Sequence, residues 1–166
     1  WLNLVVHIFP AVALALVPGE RDVMARPPRD PKEPLLTWGA TGRTALRSAV
    51  VAAVALWSYT AGGGRSGGPR GQTLVMATLA LTLLAQSFAT LSDTQPFWRM
   101  RSSLAPAFWL ALAGGLLLQA VAVVWPPLAS VLLTEPLSAT DWLRVLGMSL
   151  VALAAVEAGK AFAARE

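Results

Sequence analysis

"SSLAPAFWLALAGGLLLQAVAVVWPPLASVLLT", residues 102–134, runs without a single Asp, Glu, Lys or Arg. A hydrocarbon core of roughly 30 Å takes about 20 helical residues, and backbone in lipid must satisfy its own hydrogen bonds, so this run predicts a membrane-spanning helix. Working outward, residues 48–64 and 71–92 are also uncharged, and residues 1–19 are too if His7 is neutral. A fifth segment, about 142–162, carries Arg144 near its start and Glu157 and Lys160 near its end. Long charged side chains at helix ends can reach the interface, so this segment still reads as a span.

Composition agrees with that solvent. Of the 166 residues, 55% are hydrophobic and only 13% charged, and the mean hydropathy is +0.58, well above soluble averages. The net charge is +4, but the basic residues sit between apolar runs and form no basic face, so nucleic-acid binding is excluded. No cysteine is present, which removes disulfides and thiolate metal sites. The chain opens at Trp1 inside an apolar run with no basic stretch before it, which reads as part of a longer protein rather than a signal peptide.

The expected fold is all-α, a polytopic membrane bundle of five helices at 1–17, 44–61, 72–91, 104–125 and 141–162. A strap rich in proline and charge at 18–43, "RPPRDPKEPLL" within it, joins the first two. A Gly-rich loop at 62–71, a loop at 92–103, another at 126–140 and a tail at 163–166 complete the chain. Arg21, Arg26, Arg29, Lys32 and Arg43, then Arg99 and Arg101, then Lys160 and Arg165 alternate correctly for one side of the membrane. By the positive-inside rule that side is cytosolic, and the first helix runs inward. "AGGGRSGGPRGQ", residues 61–72, reads as a flexible external connector, since it lacks the lysine and Ser/Thr of a phosphate loop. Abundant Ala, Gly, Arg and Pro suit a high-GC bacterium, so the expected setting of this multi-pass chain is a bacterial plasma membrane.

The order "WLNLVVHIFPAVALALVPGERDVMARPPRDPKEPLL", then four apolar helices with "QSFATLSDTQPFWRM" and "PPLASVLLTEPLSATDWLRVL" between or within them, resembles the C-terminal membrane region of cation-pumping P-type ATPases of the calcium-pump-like branch. The resemblance covers essentially the whole chain, from the sixth to the tenth membrane helix of that family. It implies part of a transporter that hydrolyses ATP through an aspartyl-phosphate. Mg and ATP are implied for the full-length parent only, because the Asp-Lys-Thr-Gly motif is absent here and the stretch is not catalytic alone. The implied partners are the lipid bilayer, the parent's remaining membrane helices and cytosolic domains, and the transported cation. The alternative is a free-standing membrane module, partner-binding or proton-conducting, without ATPase activity.

Asn3 and His7 stand four positions apart and share a helix face. Pro10 has no N–H to give the backbone carbonyl of Val6, so it predicts a helix break that frees an oxygen at membrane depth. In the resembling pumps this helix supplies oxygens to the cation, which makes Asn3 a candidate ligand beside the Val6 carbonyl and His7. The pump pattern Asn-Leu-Val-Thr-Asp-Gly-Leu-Pro reads Asn-Leu-Val-Val-His-Ile-Phe-Pro here, so a threonine and an aspartate are lost. Calcium wants several hard oxygens, and the site is atypical for it. The acidic ligand of the family's eighth helix falls at Leu83, leaving Gln86 and Ser87 a turn further on as secondary polar candidates, with Gln119 in the next span. His7 reads either as an ion-path or proton-linked group or as a packed neutral imidazole; a lone histidine is too few ligands for a firm metal site. Gln119 and the pair Gly114–Gly115 suit close helix–helix packing, and Glu157 with Lys160 suits a surface pair.

Overall fold

The computed structural model describes residues 1–2, 7–16, 38–64, 68–90 and 106–163. Among them stand six α-helices: α1 (Ile8–Ala15), α2 (Trp38–Ala61), α3 (Pro69–Ala89), α4 (Pro106–Val124), α5 (Pro126–Leu132) and α6 (Ala139–Ala163). The expected count of five is corrected by α5, which lies where a loop was expected. The cause is "WPP": a residue before proline avoids the helical region, and Trp125 is extended at φ −84°, ψ 114°. Pro126 and Pro127 then occupy the first turn of a new helix, where a missing N–H costs nothing. That helix ends at Leu133, in the left-handed region at φ 54°, where the N–H of Thr134 closes on the carbonyl of Ala129 at 2.9 Å. The Thr134 hydroxyl donates to the Ala122 carbonyl at 2.9 Å and folds α5 back against α4.

Among the described residues, three helices are long and apolar enough to cross a membrane: Pro69–Ala89, Pro106–Val124 and Ala139–Gly159. The protein is membrane-embedded. Helix α2 is long but carries Arg43 and Arg47 in its first turns, and α1 is short.

Helix α3 is the hub, packing on α6, α2, α4 and α1. Its buried residues include Thr73, Leu74, Ala77, Ala80, Leu81 and Leu84, so it is covered nearly all round. Small hydroxyls let neighbours approach and stitch them together. Thr78 donates to Ser58 of α2 at 3.0 Å, and Thr82 donates to Ser149 of α6 at 3.3 Å, which passes its own proton to the Val145 carbonyl at 2.8 Å. Two apolar clusters flank the hub. Leu74, Ala77, Leu81 and Val145 join α3 to α6, whereas Ala13, Leu84, Phe108 and Leu112 join α1, α3 and α4.

The Gly-rich connector is more than a flexible linker where α2 meets α3. A Cβ on Gly71 would lie 2.7 Å from the Gly64 Cα and 3.0 Å from the Tyr59 carbonyl oxygen. Backbone touches backbone there, and only glycine fits.

Candidate ion-path helix and its supports

Helix α1 was expected to carry the site, and two of its candidates, Asn3 and Val6, lie outside the described residues. His7 immediately precedes α1 with helical backbone (φ −95°, ψ −36°), makes no capping bond and is exposed. Pro10 falls in the first turn of α1, where an N–H has no partner within that helix. Its absent donor therefore concerns the residues before Ile8, and the described α-helix itself is uninterrupted.

The α1–α4 seam can be followed residue by residue. Trp1 Nε1 donates to Gln119 Oε1 at 3.1 Å. Phe9 lies over the glycine pair: a Cβ on Gly114 would meet the Phe9 ring at 2.8 Å, and one on Gly115 would meet Leu84 Cδ2 at 2.9 Å and Phe9 Cβ at 3.3 Å. Ala13 then packs with Phe108 and Leu112. As α1 advances, α4 recedes, so the two helices run antiparallel. The buried stripe of α4, Phe108, Leu112, Gly115, Gln119, Ala122 and Val123, has the spacing of one helix face. The expected helix-joining role of Gln119 and close packing at Gly114–Gly115 both match this seam.

Gln119 is fully buried, and its Nε2 has no hydrogen-bond partner. Because the indole can only donate, it fixes the amide with its oxygen toward Trp1. On α3, Gln86 likewise holds a buried Nε2 without a partner. Ser87 is buried and turns its hydroxyl back to the Leu83 carbonyl at 3.5 Å. The structure does not bring Gln86 and Gln119 together. Leu84 meets Gly115 and Phe88 meets Phe108, so the two amides are offset by about 10 Å along the bundle at 1.5 Å per residue. No group of three His, Asp or Glu side chains that could hold a metal occurs among the described residues.

Other polar residues that sequence reasoning passed over form a junction at the end of the bundle where α3 and α6 begin. Arg70 Nη2 donates to both oxygens of Asp141, at 2.8 and 2.9 Å, and Arg144 adds a longer contact at 3.4 Å. Asp141 also accepts the Ser138 hydroxyl at 2.7 Å and its N–H at 3.2 Å, while Ser138 Oγ accepts the Asp141 N–H at 3.2 Å. This reciprocal pattern is a capping box. The spacing Ser-x-x-Asp before an apolar run was its signal in the sequence. Thr73 completes the junction by accepting the Glu135 N–H at 2.9 Å. At the opposite end Glu157 is buried, with 7% exposure, not on the surface as its charge suggested.

A family model described as "Cation transporting ATPase, C-terminus" matches residues 1–162. The chain belongs to this family. Among curated relatives, a "Calcium-transporting ATPase" of Bacillus subtilis is 30% identical over 156 residues, covering 91% of this chain and 17% of that protein. "Calcium-transporting ATPase type 2C member 2" of Rattus norvegicus is 27% identical over 151 residues, covering 90% of this chain and 16% of that protein. "Probable cation-transporting ATPase F" of Mycobacterium tuberculosis (strain ATCC 25618 / H37Rv) is 27% identical over 150 residues, covering 90% and 17%. The chain thus spans about a sixth of the length of the relatives it matches. Its residues correspond to the C-terminal membrane domain of cation-transporting P-type ATPases. In this family member, α3 supplies a covered central helix, α6 and α2 are bound to it by hydroxyls, and α1 rests on α4.

Proposed function

We propose that this domain scaffolds the transport path of an ATP-driven cation pump and that its opening segment contributes ion ligands: the Asn3 side chain, the Val6 carbonyl and His7. ATP and Mg belong to the parent's other domains, and the setting is a bacterial plasma membrane, with the strap at 18–43 and the tail at 163–166 cytosolic. The observation that carries the reading is the family match across residues 1–162, which includes the N-x-x-x-H-x-x-P sequence at residues 3–10.

The ion is set by what replaces the calcium pattern. A carboxylate and a hydroxyl give way to His7 and Val6, so the site holds less fixed negative charge and one nitrogen donor. Lower charge disfavours a hard divalent ion that needs several oxygens. It favours a monovalent or softer cation, or proton-coupled exchange through the imidazole.

The test is cation-dependent ATPase activity of the full-length pump, screened with calcium, manganese, sodium and potassium. His7→Ala is expected to abolish stimulation while leaving the protein folded. The double change His7→Asp with Val6→Thr is expected to raise the response to calcium. Unaltered ion dependence in both variants would remove this turn from the transport path. Sidedness is read separately: a cysteine at position 67 should react with an impermeant reagent from outside intact cells.

A further inference from the structure

The start of α2 and the end of α6 meet at one end of the bundle and leave a narrow cleft between them, with Arg43, Leu46, Arg47 and Val50 on one wall and Val156 and Gly159 on the other. Arg43 and Arg47 stand four residues apart and share a helix face; Arg43 is exposed and Arg47 half-buried. A Cβ on Gly39 would lie 3.5 Å from Arg43 Nη1, so this side chain runs back over the preceding turn, toward the start of α2. Going inward, Leu46, Val50 and Val156 turn the cleft apolar. It has a cationic mouth and a hydrocarbon floor. No carboxylate offsets the mouth from within: α2 contains no Asp or Glu, and Glu157 of α6 is buried and does not line the cleft.

Membrane depth decides what meets these cations. The uncharged remainder of α2, residues 48–61, is about 21 Å long at 1.5 Å per residue, shorter than a hydrocarbon core of roughly 30 Å. The two guanidinium groups therefore lie where acyl chains give way to headgroups, and the backward course of Arg43 carries its charge toward the phosphates. We infer that the cleft seats one anionic phospholipid, its phosphate between Arg43 and Arg47 and an acyl chain against Leu46, Val50 and Val156. A guanidinium fork takes phosphate oxygens two at a time. Free phosphate would use the arginines and leave the apolar floor uncovered, whereas a zwitterionic lipid would cover the floor but bring its own ammonium to two cations. Only a lipid of net negative charge suits both halves. Basic pockets between membrane helices on the cytosolic side recognise such headgroups. The sidedness proposed above places this end, where α2 follows the strap and α6 precedes the tail, in the leaflet where anionic lipids concentrate, and the choice of leaflet alone rests on that sidedness.

The test is lipid binding to the delipidated full-length pump in detergent, titrated by native mass spectrometry with phosphatidylglycerol and with phosphatidylcholine of the same acyl chains. Phosphatidylglycerol should bind more tightly. Arg43→Gln should weaken it about fivefold, the weight of one cationic side chain near an anionic surface, and Arg43→Gln/Arg47→Gln about twenty-fivefold. Gly159→Leu puts a side chain where a Cβ meets nothing within 4 Å, so it fills the cleft without altering charge and should also weaken phosphatidylglycerol. Arg26→Gln/Arg29→Gln takes two charges from the strap and should leave the affinity unchanged. Because Arg43 is exposed and Gly159 borders open space, their single variants stay informative if loss of Arg47 prevents folding. Equal losses in the strap and cleft double variants, with Gly159→Leu binding as the unaltered pump does, would reduce the effect to diffuse surface attraction and overturn the site. Equal binding of the two lipids would overturn it as well. Displacement of phosphatidylglycerol by inorganic phosphate would make the mouth a soluble-anion site, and no bound lipid at all would mean that the parent's own segments fill the cleft; either result ends the proposal.

Discussion

The α2–α3–α6 face and the α1–α4 seam are both helix packings, and they treat polar atoms in opposite ways. Across the first, hydroxyls meet in matched pairs, Thr78 with Ser58 and Thr82 with Ser149, and the buried carboxylate of Asp141 collects Arg70, Arg144 and Ser138. Across the second, Gln119 satisfies its oxygen through Trp1 and leaves its nitrogen without a partner. Gln86 of α3 also keeps a buried Nε2 without a partner, so the contrast is between these matched hydroxyl pairs and the half-paired amide of Gln119. A network with an unspent donor has room for a ligand or a second arrangement. The contrast sets paired hydroxyls at the hub against an unspent donor at the seam.

The largest effect is expected at the α2–α3 corner. Gly71→Ala would drive a Cβ against the Gly64 backbone and the Tyr59 carbonyl, atoms that cannot rotate away. Overpacking of this kind costs roughly 3 kcal/mol, to be read as a drop in the thermal midpoint of detergent-solubilised protein. A seam substitution of the same type, Gly114→Ala, meets a ring that can turn and should cost less stability. Equal losses at both positions would erase the distinction between frame and seam.

Next comes the junction at the start of α6. Asp141→Ala removes the acceptor that serves Ser138 twice and Arg70 twice. The capping contribution alone is about 1 kcal/mol, and Ser138→Ala should cost about the same, checked by the same thermal midpoint. Because Ser138 and Asp141 act through one reciprocal pair of bonds, the double variant should cost clearly less than the sum of the singles. Additive losses would mean that Asp141 stabilises through Arg70 and not through the cap.

These two regions also differ in how much of them the amino-acid order disclosed. The spans of α3 and α4 followed from long uncharged runs, and that of α6 from an apolar run whose charges lie near its ends, since lipid leaves such runs few alternatives. The capping box left a local signal, Ser-x-x-Asp before an apolar run, that the reading of the sequence passed over. By contrast, the pairing of Arg70 with Asp141 joins residues 71 apart, and nothing local marks either as the other's partner. Thr78, Thr82 and Ser149 look like ordinary small residues until α3 is known to be surrounded. Helix α5 was missed because Pro126 and Pro127 were read as ending the helix at 125 and opening a loop, whereas prolines also suit the first turn of a new helix. At the site, the turn marked by Asn3, His7 and Pro10 drew notice through its oddity in an apolar run. Gln119, Gly114 and Gly115 did not, because a glutamine and two glycines acquire meaning only against Trp1 and Phe9.

The smallest effect gives the sharpest version of the comparison. A double-mutant cycle on Thr82→Val and Ser149→Ala should return a coupling of about 0.6 kcal/mol in the unfolding free energy, the usual size for interhelical hydroxyl bonds in membranes. Ion dependence should not move, since both atoms point into the frame and are already paired. The matching cycle on Trp1→Phe and Gln119→Leu joins one donor to one acceptor at 3.1 Å, so its coupling in unfolding should be similar. Its coupling in half-saturating cation concentration should be the larger of the two cycles. If both cycles couple in unfolding and neither in cation binding, the polar difference between hub and seam is only one of packing. A coupling in cation binding confined to the seam would tie the unspent donor of Gln119 to the transport path, because the two bonds otherwise differ little in strength.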